Sequence, residues 1–421
     1  MREYYNEKTG EKLLCHTAKS GLRIAVVPKK GFNKTYALLC TNFGSIDRHF
    51  ILEGQDISIP DGVAHFLEHK MFEQKDGGNA FDRFAELGAS ANAFTSFDMT
   101  AYLFSAAGNY EKALRHLLSY VAEPYFTDEN VMKEQGIIGQ EIKMYDDSPD
   151  WCVFFNMLRG LYKNHPINID IAGTCEEISK ITKETLYTCY GSYYHPANML
   201  LCVTGNADAE TVIKAADDIL PVTEFKKAQT LIPKEPLDTA QEYVERKMSV
   251  ATPMFCIGFK EKPEAPRLKQ DALYSVLCEM MFGKMSCLYG RLYDEGLIFG
   301  MSAAYNYGKE YAFVEIDGES TDPKKVYEAV KEEINRFKNE GLDENEIEIV
   351  KKGLCGSFIK GLNNIENIAS SYAGAAFYGE NFFDCGNLLM SVTKDELETV
   401  LKNGFSAGTL SVVSPSGEAK K

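Results

Sequence analysis

The sequence has no long apolar run and no paired cysteine motif, and each absence excludes a class of protein. The longest apolar runs, such as 36–40 and 199–203, are far shorter than the roughly 18–20 residues that cross a membrane, so no membrane span is predicted. Eleven cysteines lie between Cys15 and Cys385 without a C-x-x-C pair. That usage is typical of a reducing compartment and disfavours a disulfide framework or a cysteine-type structural zinc site.

Basic residues are also fewer than acidic ones, with 45 Lys and Arg against 61 Asp and Glu, which gives a formal net charge of −16. Nucleic acid binding needs clustered basic side chains, so a nucleic acid partner is not expected, and neither is an anionic membrane surface. The first twelve residues lack the apolar stretch of a secretory signal, which predicts a cytoplasmic protein. The net negative charge is compatible with a preference for basic partners, although an excess of acidic residues more often serves solubility.

What is present fits a folded α+β protein of two similar halves. The 421 residues are 45% hydrophobic and 25% charged, which is ordinary for globular domains. The segment NMLLCVTGNADAE resembles TLSVVSPSGEA near the C-terminus, and VAHFLEHKMFE aligns with LYSVLCEMMFG. A polar, Lys-rich stretch with two prolines separates the halves. We therefore predict an N-terminal domain at 1–225, a linker at 226–238 and a C-terminal domain at 239–421.

Local patterns in the first half predict the elements that would surround a site. Alternation at 22–28 and 35–43 predicts two strands, which the turn-rich KKGFNK would join as a hairpin. A Pro-Asp-Gly turn precedes a helical pattern from Val63, and Asp61 is placed to cap that helix. The segment SANAFTSFDMTAYLFSA alternates like a strand pair, and 128–145 has helical periodicity.

The most informative stretch is His65-Phe-Leu-Glu68-His69. On a helix, positions i, i+3 and i+4 project from one face, so both imidazoles and the carboxylate would point the same way. Two neutral imidazoles at this spacing can bind one Zn²⁺ and leave positions open for water and a third ligand. Glu68 is too constrained to ligate beside both histidines, and is placed to take a proton from zinc-bound water. The alternative is a buried helix with incidental histidines.

A catalytic zinc needs a third protein ligand, and a carboxylate is a common choice. Glu134 and Glu141 lie seven residues apart on the predicted helix at 128–145, so they stack on one face two turns apart. A glutamate pair at this spacing is by itself more typical of a solvated face. The histidine pair upstream makes a ligand role the better interpretation.

HFLEH, with Glu141 following 72 positions after His69, resembles the inverted-motif zinc peptidases of the pitrilysin or M16 family, which includes insulin-degrading enzyme and mitochondrial processing peptidase. The resemblance covers the whole chain. It implies an α+β fold of two homologous LuxS/metallohydrolase-like halves forming half of a clamshell, and zinc as cofactor. It also implies that His65, His69 and Glu141 ligate zinc, that Glu68 is the base, and that Glu134 steadies the site.

The resemblance also assigns a substrate-binding strand. In the family, the strand matching ASANAFTSF borders the active site, and an extended substrate pairs with its open edge. Here the matching residues are Asn92, Ala93, Phe94 and Thr95. The alternative is an ordinary amphipathic strand.

The second half lacks the metal-binding residues. Where the first half has its two histidines and the glutamate of the motif, the aligned positions hold Ser275, Cys278 and Glu279, so no second zinc site can form. The family also uses an Arg and a Tyr, seven residues apart, to contact the substrate carbonyl. In this sequence Phe299 falls at the Tyr position and Tyr293 near the Arg position, with Arg291 out of register.

These departures shape the functional prediction. The resemblance implies a zinc metalloendopeptidase of the M16B-like type that cleaves peptides or short unfolded segments inside an enclosed chamber. A chain of this length would need a second M16-type subunit, either a heterodimer partner that supplies Arg and Tyr or a second copy in a homodimer. Two other functions stay open, namely a non-catalytic scaffold subunit and a peptide-binding maturation subunit.

Overall fold

The computed structural model describes residues 1–417, in which strands and helices alternate along the chain. The strands are β1 Arg2–Asn6, β2 Glu11–Thr17, β3 Arg23–Pro28, β4 Thr35–Thr41, β5 His49–Leu52, β6 Gln55–Ser58, β7 Ala89–Thr95, β8 Thr100–Ala106, β9 Met199–Gly205, β10 Gln229–Thr230, β11 Tyr243–Met248, β12 Met254–Glu261, β13 Ile298–Gly308, β14 Tyr311–Ser320 and β15 Ala407–Pro415.

The helices are α1 Val63–Lys70, α2 Ala80–Glu86, α3 Tyr110–Ala122, α4 Asp128–Asp146, α5 Pro149–Leu161, α6 Cys175–Ile178, α7 Lys183–Tyr193, α8 Ala209–Ile219, α9 Arg267–Phe282, α10 Cys287–Asp294, α11 Pro323–Glu340, α12 Glu344–Gly361, α13 Ile365–Phe377, α14 Cys385–Ser391 and α15 Lys394–Asn403. No helix among residues 1–417 combines the length and apolar character needed to cross a membrane. The mixed content agrees with the predicted α+β class.

The chain divides into two compact units, and neither is one continuous segment. Unit 1 comprises 1–142, 170–232 and 359–383, whereas unit 2 comprises 143–169, 233–358 and the described residues from 384 onwards. Helix α5 from the first half therefore lies in unit 2, and helix α13 from the second half lies in unit 1. The predicted boundaries at 225 and 239 fall near the crossing at 232, but they do not anticipate this exchange of helices.

Unit 1 is built on a seven-stranded sheet in the order β1-β2-β3-β9-β4-β8-β7. Every residue of β4 and β9 is buried, which places these strands at the centre of the core. The prediction that β3 and β4 form a hairpin is wrong, because β9 lies between them, parallel to β3 and antiparallel to β4. The turn-rich KKGFNK therefore crosses over one strand, and a local turn signal cannot report that insertion.

Unit 2 repeats the strand order of unit 1. Its five-stranded sheet runs β11-β15-β12-β14-β13, with β11 parallel to β15 and the other neighbours antiparallel. This order matches β3-β9-β4-β8-β7 strand for strand, including the one parallel pair in each series. The match pairs β9 with β15 and places α1 and α9 at equivalent points, as the two aligned sequence segments predict.

Helices cover both faces of the sheet in unit 2. The side chains of Phe255, Ile257 and Phe259 on β12 join the core that includes α9 and α11. Because side chains alternate along a strand, Gly258 faces the other side, where helix α5 packs. A Cβ atom at Gly258 would stand 2.4 Å from Sδ of Met157 on α5, so the glycine permits this close approach.

The predicted linker is more ordered than its polar composition indicates. Within unit 1, β10 pairs with β5, and Thr230 Oγ1 donates to Asp47 Oδ1 over 2.6 Å. Within unit 2, Glu235 and Lys260 form a buried ion pair of 2.6 Å. Most of the predicted linker is therefore attached to one unit or the other.

Candidate metal centre

Helix α1 begins at a glycine that the surrounding backbone constrains. Gly62 has φ of 85°, a left-handed conformation, and caps the helix without a side-chain hydrogen bond. The prediction that Asp61 caps the helix is wrong, because its carboxylate pairs with Arg48 Nε over 3.1 Å. A Cβ atom at Gly62 would lie 2.4 Å from the carbonyl oxygen of Ala172. This backbone contact fixes where the motif helix starts.

Two helices of unit 1 bring the predicted metal ligands together. Helix α1 presents His65 and His69, whose ring centroids are 4.6 Å apart, and α4 presents Glu141. Nε2 of His65 is 3.7 Å from Glu141 Oε1, and Nε2 of His69 is 3.5 Å from Glu141 Oε2. One ligand atom from each residue lies within 4.8 Å of the others. A cluster that the sequence spreads over 77 positions is thus compact.

The donor set and its spacing fit a zinc ion. Two ligand atoms that each stand about 2.1 Å from one tetrahedral ion are about 3.4 Å apart, close to the two separations above. Imidazole nitrogen and carboxylate oxygen are ordinary zinc donors. Nδ1 of His65 is buried and has no hydrogen-bond partner among residues 1–417, so no hydrogen bond at this atom orients the ring, in contrast to His69.

Glu134 contacts the second histidine at the ring nitrogen that does not face Glu141. Its Oε1 lies 3.0 Å from Nδ1 of His69, and its Oε2 lies 3.4 Å from Nζ of Lys70. A carboxylate accepts a hydrogen bond from a protonated Nδ1, and this tautomer leaves Nε2 of His69 with the lone pair that a metal needs. The predicted position of Glu134 beside the ligands agrees with this geometry, although its predicted role as a steadying residue stays a prediction.

Burial and neighbouring groups shift the pKa values of the two imidazoles in opposite directions. Burial, reinforced by the charge of His69, lowers the pKa of His65 to about 4, so this ring is neutral near pH 7. Burial also opposes protonation of His69, but the hydrogen bond to Glu134 and the charges of Glu141 and Glu68 outweigh it and raise the pKa of His69. Burial acts on Glu134 as well, yet His69 and Lys70 together lower the pKa of its carboxyl.

Glu68 is held by a side chain from strand β7. Thr95 Oγ1 donates a hydrogen bond of 2.6 Å to Glu68 Oε2. Burial raises the pKa of Glu68, while the bond from Thr95 and the charge of His69 act in the opposite direction. A carboxyl group with a raised pKa is suited to exchanging a proton near neutral pH.

The predicted substrate-binding residues lie on β7, one of the two edge strands of the seven-stranded sheet. Strand β7 pairs with β8 alone among residues 1–417, so its other edge has no neighbouring strand, although the backbone N–H of Ala93 donates to Oδ1 of Asn92. Asn92 is exposed, and Ala93 and Phe94 are half-buried. The side chain of Thr95 is engaged by Glu68, which a sequence pattern cannot reveal. Substrate pairing along this edge stays a prediction.

The second-half positions that the sequence analysis singled out all lie in unit 2. Phe299 on β13 and Tyr293 on α10 are 59% and 57% exposed, and Arg291 is exposed in the last turn of α10. Ser275, Cys278 and Glu279 lie on α9, where Cys278 is buried. The cluster of possible metal ligands in unit 1 thus has no counterpart at these positions.

Sequence reasoning missed two residues of the site, Thr95 as a partner of Glu68 and Lys70 as a partner of Glu134. Lys70 directly follows the motif, on a helix that is buried along nearly its whole length. A lysine on such a helix is the signal that could have identified it. Thr95 gave no comparable signal, because its contact depends on how α1 lies against β7.

In a comparison with known proteins, two family models match segments of this chain. Residues 55–175 match the model described as insulinase (peptidase family M16), and residues 180–354 match the model described as the peptidase M16 inactive domain. The first match includes both motif histidines and Glu141. The second lies largely in the half that lacks the motif.

Individual relatives extend the match to nearly full length. An uncharacterized zinc protease, YmfH, of Bacillus subtilis is 40% identical over 420 residues, covering 96% of this chain and 97% of the relative. A crystal structure of an M16-like peptidase from Alicyclobacillus acidocaldarius is 33% identical with a TM-score of 0.93, covering 96% of this chain and 99% of that one. A Helicobacter pylori protease shares the fold at 19% identity and a TM-score of 0.83, covering 96% of this chain and 100% of that one. With its two matching models and its near full-length relatives, the chain belongs to the M16 family of peptidases.

Proposed function

We propose that this chain is a zinc-dependent endopeptidase that cleaves peptides or short unfolded segments. The observation that carries the proposal is the approach of His65, His69 and Glu141 to one point, with Glu68 on the same helix as the histidines. The names of the relatives, several of them zinc proteases, are consistent with this chemistry.

His65, His69 and Glu141 would hold the zinc ion. A zinc ion held there would supply Lewis-acid chemistry toward a water molecule and the scissile carbonyl. Glu68 takes the proton from the attacking water and later delivers it to the leaving amine, a task that its raised pKa suits. Thr95 orients Glu68, and Glu134 orients His69.

The peptide would bind as an added strand along the open edge of β7, with Asn92, Ala93, Phe94 and Thr95 beside it. Main-chain hydrogen bonds give affinity without requiring one sequence, so selection in an enclosed chamber would depend on size and extendability. The protein would act in the cytoplasm, in accordance with its free cysteines, which are typical of a reducing compartment.

A second M16-type subunit would complete the enzyme. Phe299 stands where the resemblance expects a tyrosine, and it has no hydroxyl to donate to a developing oxyanion. A heterodimer partner would supply the missing Arg and Tyr, and a homodimer is the alternative. The test compares the peptidase activity of the purified chain with that of the chain co-expressed with a neighbouring paralogue. Full activity of the purified chain alone would refute the heterodimer.

The same departure at Phe299 favours a second candidate, a non-catalytic scaffold or a peptide-binding maturation subunit of an M16-type heterodimer. Substitution Glu68→Gln separates the candidates when zinc content and hydrolysis of a mixed quenched-peptide library are measured together, with and without the paralogue. For the enzyme we expect zinc to be retained and turnover to be lost. Glu86→Gln, an exposed change on α2, is the matched control and should match wild type. Unchanged turnover in Glu68→Gln would refute the mechanism, and absence of bound zinc in wild type would favour the scaffold.

A further inference from the structure

Lys70 is the least expected residue of the metal centre, because its charged side chain is completely buried. The side chain is 0% exposed and its ammonium group contacts two carboxylates, Glu73 at 2.8 Å and Glu134 at 3.4 Å. Removing an ammonium group from water costs several kcal/mol, and a buried ion pair often stabilises a fold no better than apolar side chains of similar volume. Fold stability alone is therefore a poor reason for a lysine at this position.

The second half provides an internal comparison. When α1 is aligned with α9 through the two segments that end in Met-Phe, Lys70 corresponds to Met280. Met280 is 2% exposed and belongs to the apolar core of unit 2. A methionine thus fills the equivalent position of a matching helix in the half that has no metal ligands, and the lysine occurs in the half that has them.

The contacts of Lys70 explain this difference. Glu134 has two carboxylate oxygens, of which Oε1 faces Nδ1 of His69 and Oε2 faces Lys70. Holding Oε2 fixes the rotation of the carboxylate, and thereby keeps Oε1 aimed at the imidazole. The ammonium charge also offsets the burial of Glu134, whose side chain is 7% exposed.

We propose that Lys70 is a positioning residue for zinc binding, which acts on His69 through Glu134. The inference rests on the proposed function in one respect, namely that His65, His69 and Glu141 bind zinc. Outer-shell partners of this kind typically change metal affinity by about 10- to 100-fold when they are removed.

A double-mutant cycle on the full-length chain tests the proposal, with zinc affinity measured by competition against a chromophoric chelator. Lys70→Met, which introduces the residue found at position 280, should weaken zinc binding at least about tenfold. In a Glu134→Gln background the same change should alter affinity less than about twofold, because the lysine acts through that carboxylate. Glu73→Gln is the matched control. It removes the negative charge of the other partner of Lys70 and leaves Glu134 unchanged, and should keep wild-type affinity.

The visible spectrum of the Co²⁺-loaded protein is a second readout, which should change in Lys70→Met and stay the same in Glu73→Gln. Wild-type zinc affinity in Lys70→Met, or an equal loss in both backgrounds, would overturn the proposal. If Lys70→Met does not fold, as judged by melting of the metal-free protein, Lys70→Gln enters the same cycle under the same criteria. A wild-type chain that binds no zinc would refute the proposed function itself, and the two failures are therefore distinguishable.

Discussion

The hydroxyl of Thr95 donates a 2.6 Å hydrogen bond to Oε2 of Glu68, so an edge strand of the sheet contacts the carboxylate that we propose as the base. The same strand carries the proposed peptide-binding edge. Peptide binding and proton transfer would therefore share one short segment of backbone.

Loss of this hydrogen bond should impair proton transfer. Thr95→Val removes a donor that favours the ionised carboxylate, so the pKa of Glu68 should rise further and the acidic limb of kcat/KM should move to higher pH. We expect activity near neutral pH to fall about tenfold, which is what the roughly 1.5 kcal/mol of a hydrogen bond to a charged group corresponds to. Thr95→Ser keeps the hydroxyl and should retain most activity. An unshifted pH profile in Thr95→Val would contradict the assigned role.

The start of the motif helix should be sensitive to a single methyl group. Gly62→Ala would force a left-handed conformation on a residue with a Cβ atom and press that atom against the carbonyl of Ala172. We expect unfolding free energy to fall by about 3 kcal/mol and zinc affinity to fall with it, since the helix must shift. Gly77→Ala is the matched control, because Gly77 has φ of 84° and nothing within 4 Å of its Cβ position. Its cost should be about 1 kcal/mol, and equal costs in urea unfolding would show that the Ala172 contact is unimportant.

A chain that ends at residue 238 should not fold stably, because it lacks helix α13. That helix buries Ile368 and Ala373 within unit 1, and its backbone accepts hydrogen bonds from Thr204 through Ile365 O and from Arg23 through Ala376 O. We expect the truncated chain to show no cooperative thermal transition. Fusing 359–383 to it through a flexible linker should restore the transition. A cooperative transition in the truncated chain without that segment would contradict this prediction.

A buried carboxyl group in unit 2 should make stability depend on pH. Glu261 accepts hydrogen bonds from Tyr274 Oη and Phe405 N, but burial raises the pKa of its carboxyl from 4.5 to about 7. Its folded form binds more protons than its unfolded form between these values. The stabilisation is therefore fully present below about pH 4.5 and is lost as pH rises through about 7, amounting to about 3 kcal/mol.

Glu261→Gln tests this dependence in the metal-free protein by urea unfolding at pH 5 and pH 8. Burial also raises the pKa of Asp271 to about 6 and that of Glu315 to about 7. The stability of the wild type should therefore decline with rising pH because of several carboxyl groups at once. The difference between wild type and Glu261→Gln isolates one carboxyl group. Wild type should lose more stability than the variant between the two pH values, and parallel losses would contradict the assignment.

The sequence by itself determined the features that depend on neighbours along the chain. The i, i+4 histidines with Glu68 between them had to share a helix face, and Glu134 and Glu141 had to stack two turns apart, because helical periodicity fixes both relationships. The repeat was also readable, because the aligned segments occupy matching strands and helices in the two units.

The tertiary structure alone decided the features that depend on distant segments. The insertion of β9 between β3 and β4 and the exchange of α5 and α13 between the units leave no local mark, because both depend on which surfaces remain to be covered after the strands pair. The contacts of Thr95 with Glu68 and of Lys70 with Glu134 follow from how α1 lies against β7 and α4. Periodicity placed the proposed ligands on their helices, whereas packing brought the two helices together and surrounded these side chains with Thr95, Glu134 and Lys70.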